Sequence, residues 1–189
     1  ASTGTCRDRV PDRMTTVYIS DTGVFVRCGG PDNEKFQQFR HALREAGVSL
    51  LIPQRVYDEL GGDAATTEYP SGNVAYSDGF EEGWLTVADE LDYTESVVST
   101  VMDAARRFIA AETDRDEDLI EKADTALLGL AAQVLASGQA NHVVLLTTDK
   151  PAGRAAETLL PKHGFDDQIT YRYVSVEYLE TISAEDFSR

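Results

Sequence analysis

The sequence predicts an α/β fold in which helices cover both faces of a mainly parallel sheet. Short apolar runs alternate with longer stretches of helical periodicity, and residues 143–146 are apolar throughout. Consecutive apolar residues are typical of strands buried on both faces, which occur chiefly in parallel sheets. Because crossover helices join parallel strands, this alternation favours one open sheet between two helical layers.

The first 60 residues contain the signals for two strands and two helices. Phe36, Phe39 and Leu43 form an apolar stripe at helical spacing, and Gly47 is a typical helix stop. The elements expected here are a strand at 17–20, a helix from Asp32 or Asn33 to 47, a strand at 48–52, and a short helix after Pro53 with Val56 and Leu60 facing inward.

The remainder of the chain begins with a segment that lacks periodicity. Residues 61–83 are rich in Gly, Ser, Thr, Tyr and acids, which predicts a long loop, and loops of this length are often functional lids. The elements expected after it are a strand at 84–87, helices at about 97–109 and 117–137, a strand at 143–146, a helix from Pro151 to about His163, and a strand at 171–176 followed by a short helix.

The charge of the chain is strongly acidic. The 189 residues include 33 Asp plus Glu and 17 Lys plus Arg, so the formal net charge is −16 at pH 7, and only 4 of the basic residues are Lys. Carboxylate-rich chains repel themselves, and concentrated salt screens that repulsion. The composition therefore suggests a halophile's protein. It argues against binding nucleic acid over the whole surface, but not against a nuclease that binds phosphate through metal ions.

Several classes of protein are disfavoured. No apolar run approaches the length of a membrane span, and the N-terminal residues lack the apolar core of a signal peptide, so a cytoplasmic protein without a membrane partner is expected. Cys6 and Cys28 form no paired motif, and the three His residues show no ligand spacing. A zinc site is therefore not expected.

Two of the predicted strands are followed by an aspartate. Asp21 comes after the first strand, and Asp149 comes shortly after the strand at 143–146. The carboxyl ends of parallel strands meet at one edge of a sheet, where α/β proteins form their sites. Taken singly, each Asp could instead cap a turn or a helix, and Pro151 favours that interpretation for Asp149.

Two further carboxylates occupy noteworthy positions. Asp124 falls within the apolar stripe of the helix predicted at 117–137, where an ionised carboxylate is costly unless it is paired or binds a metal. The alternative is a bond to a backbone amide or an Arg, or a place at the edge of the stripe. Glu59 lies beside the inward-facing Val56 and Leu60, although such a Glu could simply be solvated. Four converging carboxylates would suit Mg²⁺ or Mn²⁺ and phosphodiester hydrolysis.

Four sequence blocks resemble those of PIN-domain ribonucleases, a family that includes toxins of toxin–antitoxin pairs and RNA-processing nucleases. In chain order the blocks are I-S-D-T-G-V-F with Asp21, P-Q-R-V-Y-D-E-L with Glu59, E-K-A-D-T-A-L-L-G-L-A with Asp124, and V-V-L-L-T-T-D-K with Asp149. The resemblance spans residues 16–180. It implies an α/β/α sandwich and metal-dependent cleavage of RNA, with these four acids holding Mg²⁺ or Mn²⁺ and orienting the attacking water.

The resemblance also implies supporting residues and partners. Thr22 and Thr147 match hydroxyl positions of the family, and Glu121 is a candidate additional acid, unless it is only a solvated residue. Lys150 and Arg154 follow Asp149 and are candidate RNA contacts. The family's partners include antitoxins, and its members often form homodimers. An apolar face exposed on the helix at 95–110 would favour a dimer here.

The expected domain organisation is simple. Residues 1–14 are assigned to an N-terminal tail, 15–183 to one PIN-like domain with a long insertion near 61–115, and 184–189 to a C-terminal tail. The insertion, and the Lys-Pro-Ala-Gly that follows the fourth acid, differ from the small toxins of the family.

Three other functions compete with a nuclease. Asp-Thr-Gly at 21–23 is also the tripeptide of aspartic proteases, but those enzymes have an all-β scaffold. Phosphotransferases of the haloacid dehalogenase type use a strand-end Asp but need a second Asp two residues later, where this chain has Gly23. The remaining alternative is a catalytically silent PIN-like module that binds RNA or assembles with a partner.

Overall fold

The computed structural model describes residues 14–30, 32–60 and 74–188, and in these ranges it shows an α/β/α sandwich. The strands are β1 Thr16–Ser20, β2 Leu50–Ile52, β3 Leu85–Val87, β4 His142–Thr147 and β5 Ile169–Tyr173. The helices are α1 Thr22–Cys28, α2 Glu34–Ala46, α3 Gln54–Glu59, α4 Val74–Glu81, α5 Ser96–Thr113, α6 Lys122–Ala136, α7 Lys150–Lys162 and α8 Val176–Thr181. Two 3-10 helices cover Glu117–Leu119 and Ala184–Phe187.

The sheet is parallel throughout and has the strand order β3-β2-β1-β4-β5. In the central strand, Tyr18 is in register with Leu50 of β2 on one side and with Val144 of β4 on the other. The carboxyl ends of β1 and β4 are therefore adjacent. This arrangement confirms the predicted α/β class and the mainly parallel sheet.

Each face of the sheet carries its own hydrophobic core. Ile19 and Leu145 point to the face covered by α5, α6 and α7. Tyr18 and Leu146 point to the opposite face, which α1, α2, α3 and α8 cover. Burial on alternate sides explains why these strands are apolar at nearly every position.

The predicted elements of the first half are largely confirmed. Asn33 caps α2 by accepting a hydrogen bond from Lys35 N at 3.0 Å, and Gly47 ends the helix with a positive φ of 66°. Pro53 precedes α3, in which Val56 is fully buried. The sequence analysis did not predict α1, which directly follows Asp21.

The loop predicted over residues 61–83 is wrong in its last third. Residues 61–73 lie outside the described residues, but α4 occupies Val74–Glu81. The close packing of this helix against the next strand accounts for the difference, because an added Cβ at Gly79 would lie 2.7 Å from a Leu85 methyl. The helix depends on this tertiary contact more than on periodicity.

The helix predicted at 117–137 begins later than expected. Ile120 and Glu121 have extended backbones, with ψ of 126° and 139°, and they separate the 3-10 helix from α6. Asp124 therefore lies in the first turn of α6. A carboxylate is favoured at this end of a helix because the unpaired N–H groups there carry partial positive charge.

The segment predicted as an insertion near 61–115 includes a major part of the sandwich. The apolar side of α5, with Val101, Ala105 and Ile109, is buried in the core that α6 and α7 share. The large hydrophobic residues exposed in the described ranges do not belong to α5. The exposed apolar face expected on this helix is therefore wrong for the described residues, and a homodimer stays a prediction.

The residues assigned to a C-terminal tail contain a packed segment. Phe187 is 5% exposed, and its ring meets that of Tyr18 edge-on with 5.3 Å between centroids. The Tyr18 hydroxyl donates to the Phe187 carbonyl oxygen at 3.1 Å. The described chain thus ends against the central strand.

We expect Phe187→Ala to lower the free energy of unfolding by about 3 kcal/mol, because it removes a buried ring and leaves a cavity. Thermal and denaturant unfolding would measure the change, with the exposed Glu185→Ala as the matched control. Equal stability of the two variants would contradict a packed role for this segment.

No helix in the described ranges is both long and apolar enough to cross a membrane.

Candidate active site

Asp21 is held rigidly at the end of β1. Its carboxylate is 8% exposed and accepts hydrogen bonds from Val24 N at 3.0 Å, Thr148 N at 3.1 Å and the Thr147 hydroxyl. Burial raises the pKa of Asp21, while these three donors act in the opposite direction. Asp21 is also the N-cap of α1, so its capping role is compatible with a role in the site.

Gly23 allows the turn after β4 to approach α1 closely. A Cβ at Gly23 would lie 2.0 Å from the Thr148 hydroxyl oxygen and 3.4 Å from Asp21 Oδ1. Any side chain at this position therefore forces Thr148 to move, and Thr148 belongs to the turn that supplies two of the Asp21 hydrogen bonds. The Asp-Thr-Gly tripeptide thus has a structural basis in this fold.

We expect Gly23→Ala to lower both the free energy of unfolding and any activity that depends on Asp21. Combined with Thr148→Ala, which removes the clashing hydroxyl, the same change should become nearly neutral, because Ala favours helix by about 1 kcal/mol over Gly. A double-mutant cycle by thermal unfolding measures this coupling. Additive effects of the two changes would show that the close contact is unimportant.

Asp124 lies half-buried on the same side of α6 as the fully buried Leu127 and Ala131. Its carboxylate accepts no hydrogen bond from any described residue, so neither a backbone amide nor an Arg pairs with it there. Burial is the largest cause that raises the pKa of Asp124, to about 7. Negative charges add to the effect and belong, in decreasing order, to Asp149, Glu121, Asp21 and Glu59.

The four predicted acids lie within electrostatic range of one another. Asp124 senses the charge of each of the other three, and Asp21 also senses Asp149. Each acid reaches the site from a different part of the chain, after β1, on α3, on α6 and after β4. The strand order places the carboxyl ends of β1 and β4 side by side, as Asp21 and Asp149 require.

Glu59 is tied to the first acidic block through Thr22. The Thr22 hydroxyl donates a hydrogen bond to Glu59 Oε2, and Arg55 Nε lies 3.8 Å from Glu59 Oε1. The predicted supporting residue therefore links α1 to the end of α3. Thr147 links two other acids in the same way, since its hydroxyl donates to Asp21 and accepts from Asp149 N at 3.0 Å.

Asp149 is the N-cap of α7, and its carboxylate accepts a long hydrogen bond of 3.4 Å from Ala152 N. The capping interpretation is thus correct geometrically, and the other lone pairs of the carboxylate remain available. Glu121 is exposed and precedes α6 as its N-cap residue, without a side-chain capping bond.

The two candidate RNA contacts differ in their surroundings. Arg154 forms an ion pair with Glu112 of α5, at 2.7 Å from Nε. The Lys150 ammonium lies 4.6 Å from the centre of the Tyr173 ring. Lys150 forms no ion pair within 4 Å in the described residues, whereas the charge of Arg154 is largely compensated by Glu112.

A cleft of about 540 Å³ opens between α3, the segment after β3, and α6, and none of the four acids lines it. Its lining includes Arg55, Arg106 and Lys122, the exposed Tyr93, and the acids Asp58, Asp89 and Glu90. Two of the helices that border the cleft also carry proposed acids, since Glu59 is on α3 and Asp124 is on α6.

The residue types of the site suit a hard divalent cation, although their side chains are not gathered around one point. In the described part of the chain, no group of three or more His, Cys, Asp or Glu side chains is gathered as ligands of one ion would be. The donors are nonetheless all oxygens, and Asp124 has an unpaired carboxylate within range of four others. Mg²⁺ and Mn²⁺ prefer such ligands and relieve such repulsion.

The sequence analysis missed two contributions to this site. Gly23 and the Thr148 backbone N–H both act at the point where the turns after β1 and β4 meet. A glycine two residues after a strand-end Asp was the available signal for the first. Every residue except proline has a backbone N–H, so residue type gives no signal for the Thr148 donor, and the sequence could not reveal it.

Residues 14–187 match the protein-family model described as "Halobacterial PIN domain". Comparison with curated proteins and with solved structures found no matching protein.

Proposed function

The chain belongs to the halobacterial PIN-domain family, whose wider family consists typically of nucleases, and from this we propose that it is a metal-dependent endoribonuclease. The proposed site consists of Asp21, Glu59, Asp124 and Asp149. Membership also supports the halophilic character inferred from the acidic composition.

One observation carries the proposal most directly: the half-buried carboxylate of Asp124 has no partner in the described residues, and its burial together with the charges of neighbouring carboxylates raises its pKa to about 7. A purely structural carboxylate is normally paired when it is buried. A buried carboxylate that lowers the stability of the fold and has no pairing group is typical of a site that binds a cation.

In this proposal Asp21, Glu59, Asp124 and Asp149 hold Mg²⁺ or Mn²⁺. The bound cation would lower the pKa of a water molecule and stabilise negative charge on the cleaved phosphodiester. The residues themselves supply orientation. Thr147 and Thr148 fix the Asp21 carboxylate, Thr22 fixes Glu59, and the buried setting of Asp21 limits competition from bulk water.

We expect the protein to cleave labelled single-stranded RNA in molar KCl with Mn²⁺ or Mg²⁺, and to lose this activity in EDTA. Asp21→Asn should abolish cleavage because it removes the negative charge but preserves the shape of the side chain. Asp118→Asn, a change of an exposed acid outside the site, is the matched control.

Each outcome of this experiment is informative. Cleavage that survives EDTA or Asp21→Asn would contradict the proposed site. Binding of the RNA without cleavage, by protein whose circular dichroism shows it to be folded, would instead favour the silent RNA-binding or assembly module.

A further inference from the structure

Two cations and one aromatic ring meet beside the proposed site, at the end of β5. Tyr173 is 36% exposed, the Lys150 ammonium lies 4.6 Å from its ring centre, and the Arg27 guanidinium carbon lies 5.5 Å from it. The three residues come from α1, α7 and β5, so the tertiary fold brings them together. Ammonium and guanidinium groups are attracted to such rings at these distances.

The positive charge of this cluster is not neutralised by an ion pair. Arg27 donates instead to the Val174 carbonyl oxygen at 2.8 Å and to the Tyr173 hydroxyl at 3.2 Å. Among the described residues, Arg27 and Lys150 form no ion pair within 4 Å, although Glu177 senses the charge of Arg27. The basic residues that do pair with Glu there are Arg40, Arg44, Arg55 and Arg154.

Two cations that contact one ring and form no ion pair within 4 Å in the described residues are unexpected in a chain of net charge −16, where carboxylates outnumber cations almost two to one. The two positive charges repel each other, and both the ring and the Val174 carbonyl offset this repulsion. Two charged donors that contact the same ring are candidates to bind one anion.

The strand order places this cluster in line with the rest of the site. The cleft lies at the carboxyl ends of β2 and β3, Asp21 and Asp149 follow the central β1 and β4, and Tyr173 ends the edge strand β5. Neighbouring strands are about 4.8 Å apart, so β5 is roughly 10 Å from β1. A single extended RNA strand lying along this edge of the sheet can reach the cleft, the acids and the cluster.

We propose that Arg27 and Lys150 bind a backbone phosphate of single-stranded RNA on the β5 side of the scissile bond, and that Tyr173 is the positioning residue that holds the two cations together. This inference rests on the proposed function, since it assigns the path of the same substrate. We call the three residues the phosphate clamp.

A preorganised clamp suits the salt conditions that the composition favours. In 1 M salt the Debye length is about 3 Å, so charges act only over contact distances. Dispersed basic residues would contribute little to RNA binding under such conditions. Cations held in place by a ring and a carbonyl oxygen can still bind a phosphate that is in direct contact with them. Because these side chains are already ordered, they lose less conformational entropy when the phosphate binds.

The experiment measures binding separately from cleavage. Fluorescence anisotropy of a labelled single-stranded RNA is recorded in EDTA with the Asp21→Asn protein, over the range of KCl in which its circular dichroism is constant. The variants added are Arg27→Gln, Lys150→Gln, Tyr173→Ala and Tyr173→Phe. Lys162→Gln, at the opposite end of α7, is the matched control.

Arg27→Gln and Lys150→Gln should each raise the Kd about tenfold, and each should reduce the slope of log K against log salt by about 0.7, the value for one phosphate contact on a single strand. Tyr173→Ala should raise the Kd similarly, and Tyr173→Phe should restore most of the affinity because it keeps the ring. Because Lys150 is exposed, its variant remains informative if Arg27→Gln proves unstable.

Wild-type affinity and salt slope in Lys150→Gln and Tyr173→Ala would overturn the clamp and leave the nuclease proposal intact. Equal losses in Lys162→Gln would also overturn it, since the effect would then be one of general charge. Absence of both binding and cleavage in the wild-type protein would overturn the two proposals together.

Discussion

Replacing Asp124 by asparagine is expected to stabilise the protein in metal-free buffer at pH 8 and to abolish RNA cleavage. The asparagine side chain would occupy the same half-buried place without the negative charge that Asp149, Glu121 and Asp21 oppose. With allowance for solvent screening of a partly exposed group, the gain in the free energy of unfolding is on the order of 1–2 kcal/mol. For a chain of this length, that corresponds to a rise in Tm of about 2–8 °C.

The pH dependence of this gain follows from the direction of the pKa shift. The pKa of Asp124 is about 7 in the folded protein, against 3.8 for the unperturbed group. Below pH 4 the carboxyl is protonated in both states and costs nothing. Between pH 4 and 7 the unfolded state loses its proton first, so the wild type loses stability relative to the asparagine variant. Above pH 7 the difference is constant.

Thermal unfolding at several pH values, in EDTA and with added Mg²⁺, measures these effects. Asp118→Asn, which alters an exposed acid, should show neither the gain nor its pH dependence. Mg²⁺ should raise the Tm of the wild type more than that of Asp124→Asn, because a ligand stabilises the state that binds it. Strong destabilisation of Asp124→Asn, both with and without Mg²⁺, would identify Asp124 as a structural residue instead.

Thr147→Val is expected to lower cleavage about 10- to 100-fold, the usual cost of losing a residue that orients a metal ligand. Thr147 is fully buried, and its hydroxyl donates to Asp21 and accepts from Asp149 N. Valine has nearly the same shape, so the packing of β4 survives. Two adjacent acids of the proposed site lose a common partner.

The pH profile distinguishes this role from a general loss of stability. The Thr147 hydrogen bond lowers the pKa of Asp21, which burial raises, so its removal should raise that pKa further. The acidic limb of the cleavage profile should therefore move to higher pH. Thr147→Ser, which keeps the hydroxyl, should restore both rate and profile. An unshifted profile in Thr147→Val would contradict the orienting role.

The sequence contained enough information for the sheet and for the order of the four acids. Asp21 and Asp149 follow buried strands, and in parallel sheets such residues meet at one edge. Asp124 was noticeable because a carboxylate among apolar residues contradicts the helical pattern. These are local signals, and all of them concern residue type and spacing.

Features that depend on distant contacts had no such signal. Helix α1 contains Val24, Phe25 and Val26, which are typical of strands, yet the Asp21 cap and the burial of Val24 and Phe25 stabilise a helix. The cluster at Tyr173 joins three elements that are far apart in the chain. Its residue types are individually ordinary, and only their proximity in the fold distinguishes them.

The central position of β1 has a consequence for protein synthesis. The donors that fix the Asp21 carboxylate include Thr148 N, 127 residues further along the chain, and the neighbour of β1 on that side is β4. A ribosome must translate β4, His142–Thr147, before the central strand has both neighbours. Domains fold as they emerge from the ribosome, but only once their partners are available. A nascent chain of this topology therefore cannot assemble the proposed catalytic centre until β4 and Thr148 have left the ribosome.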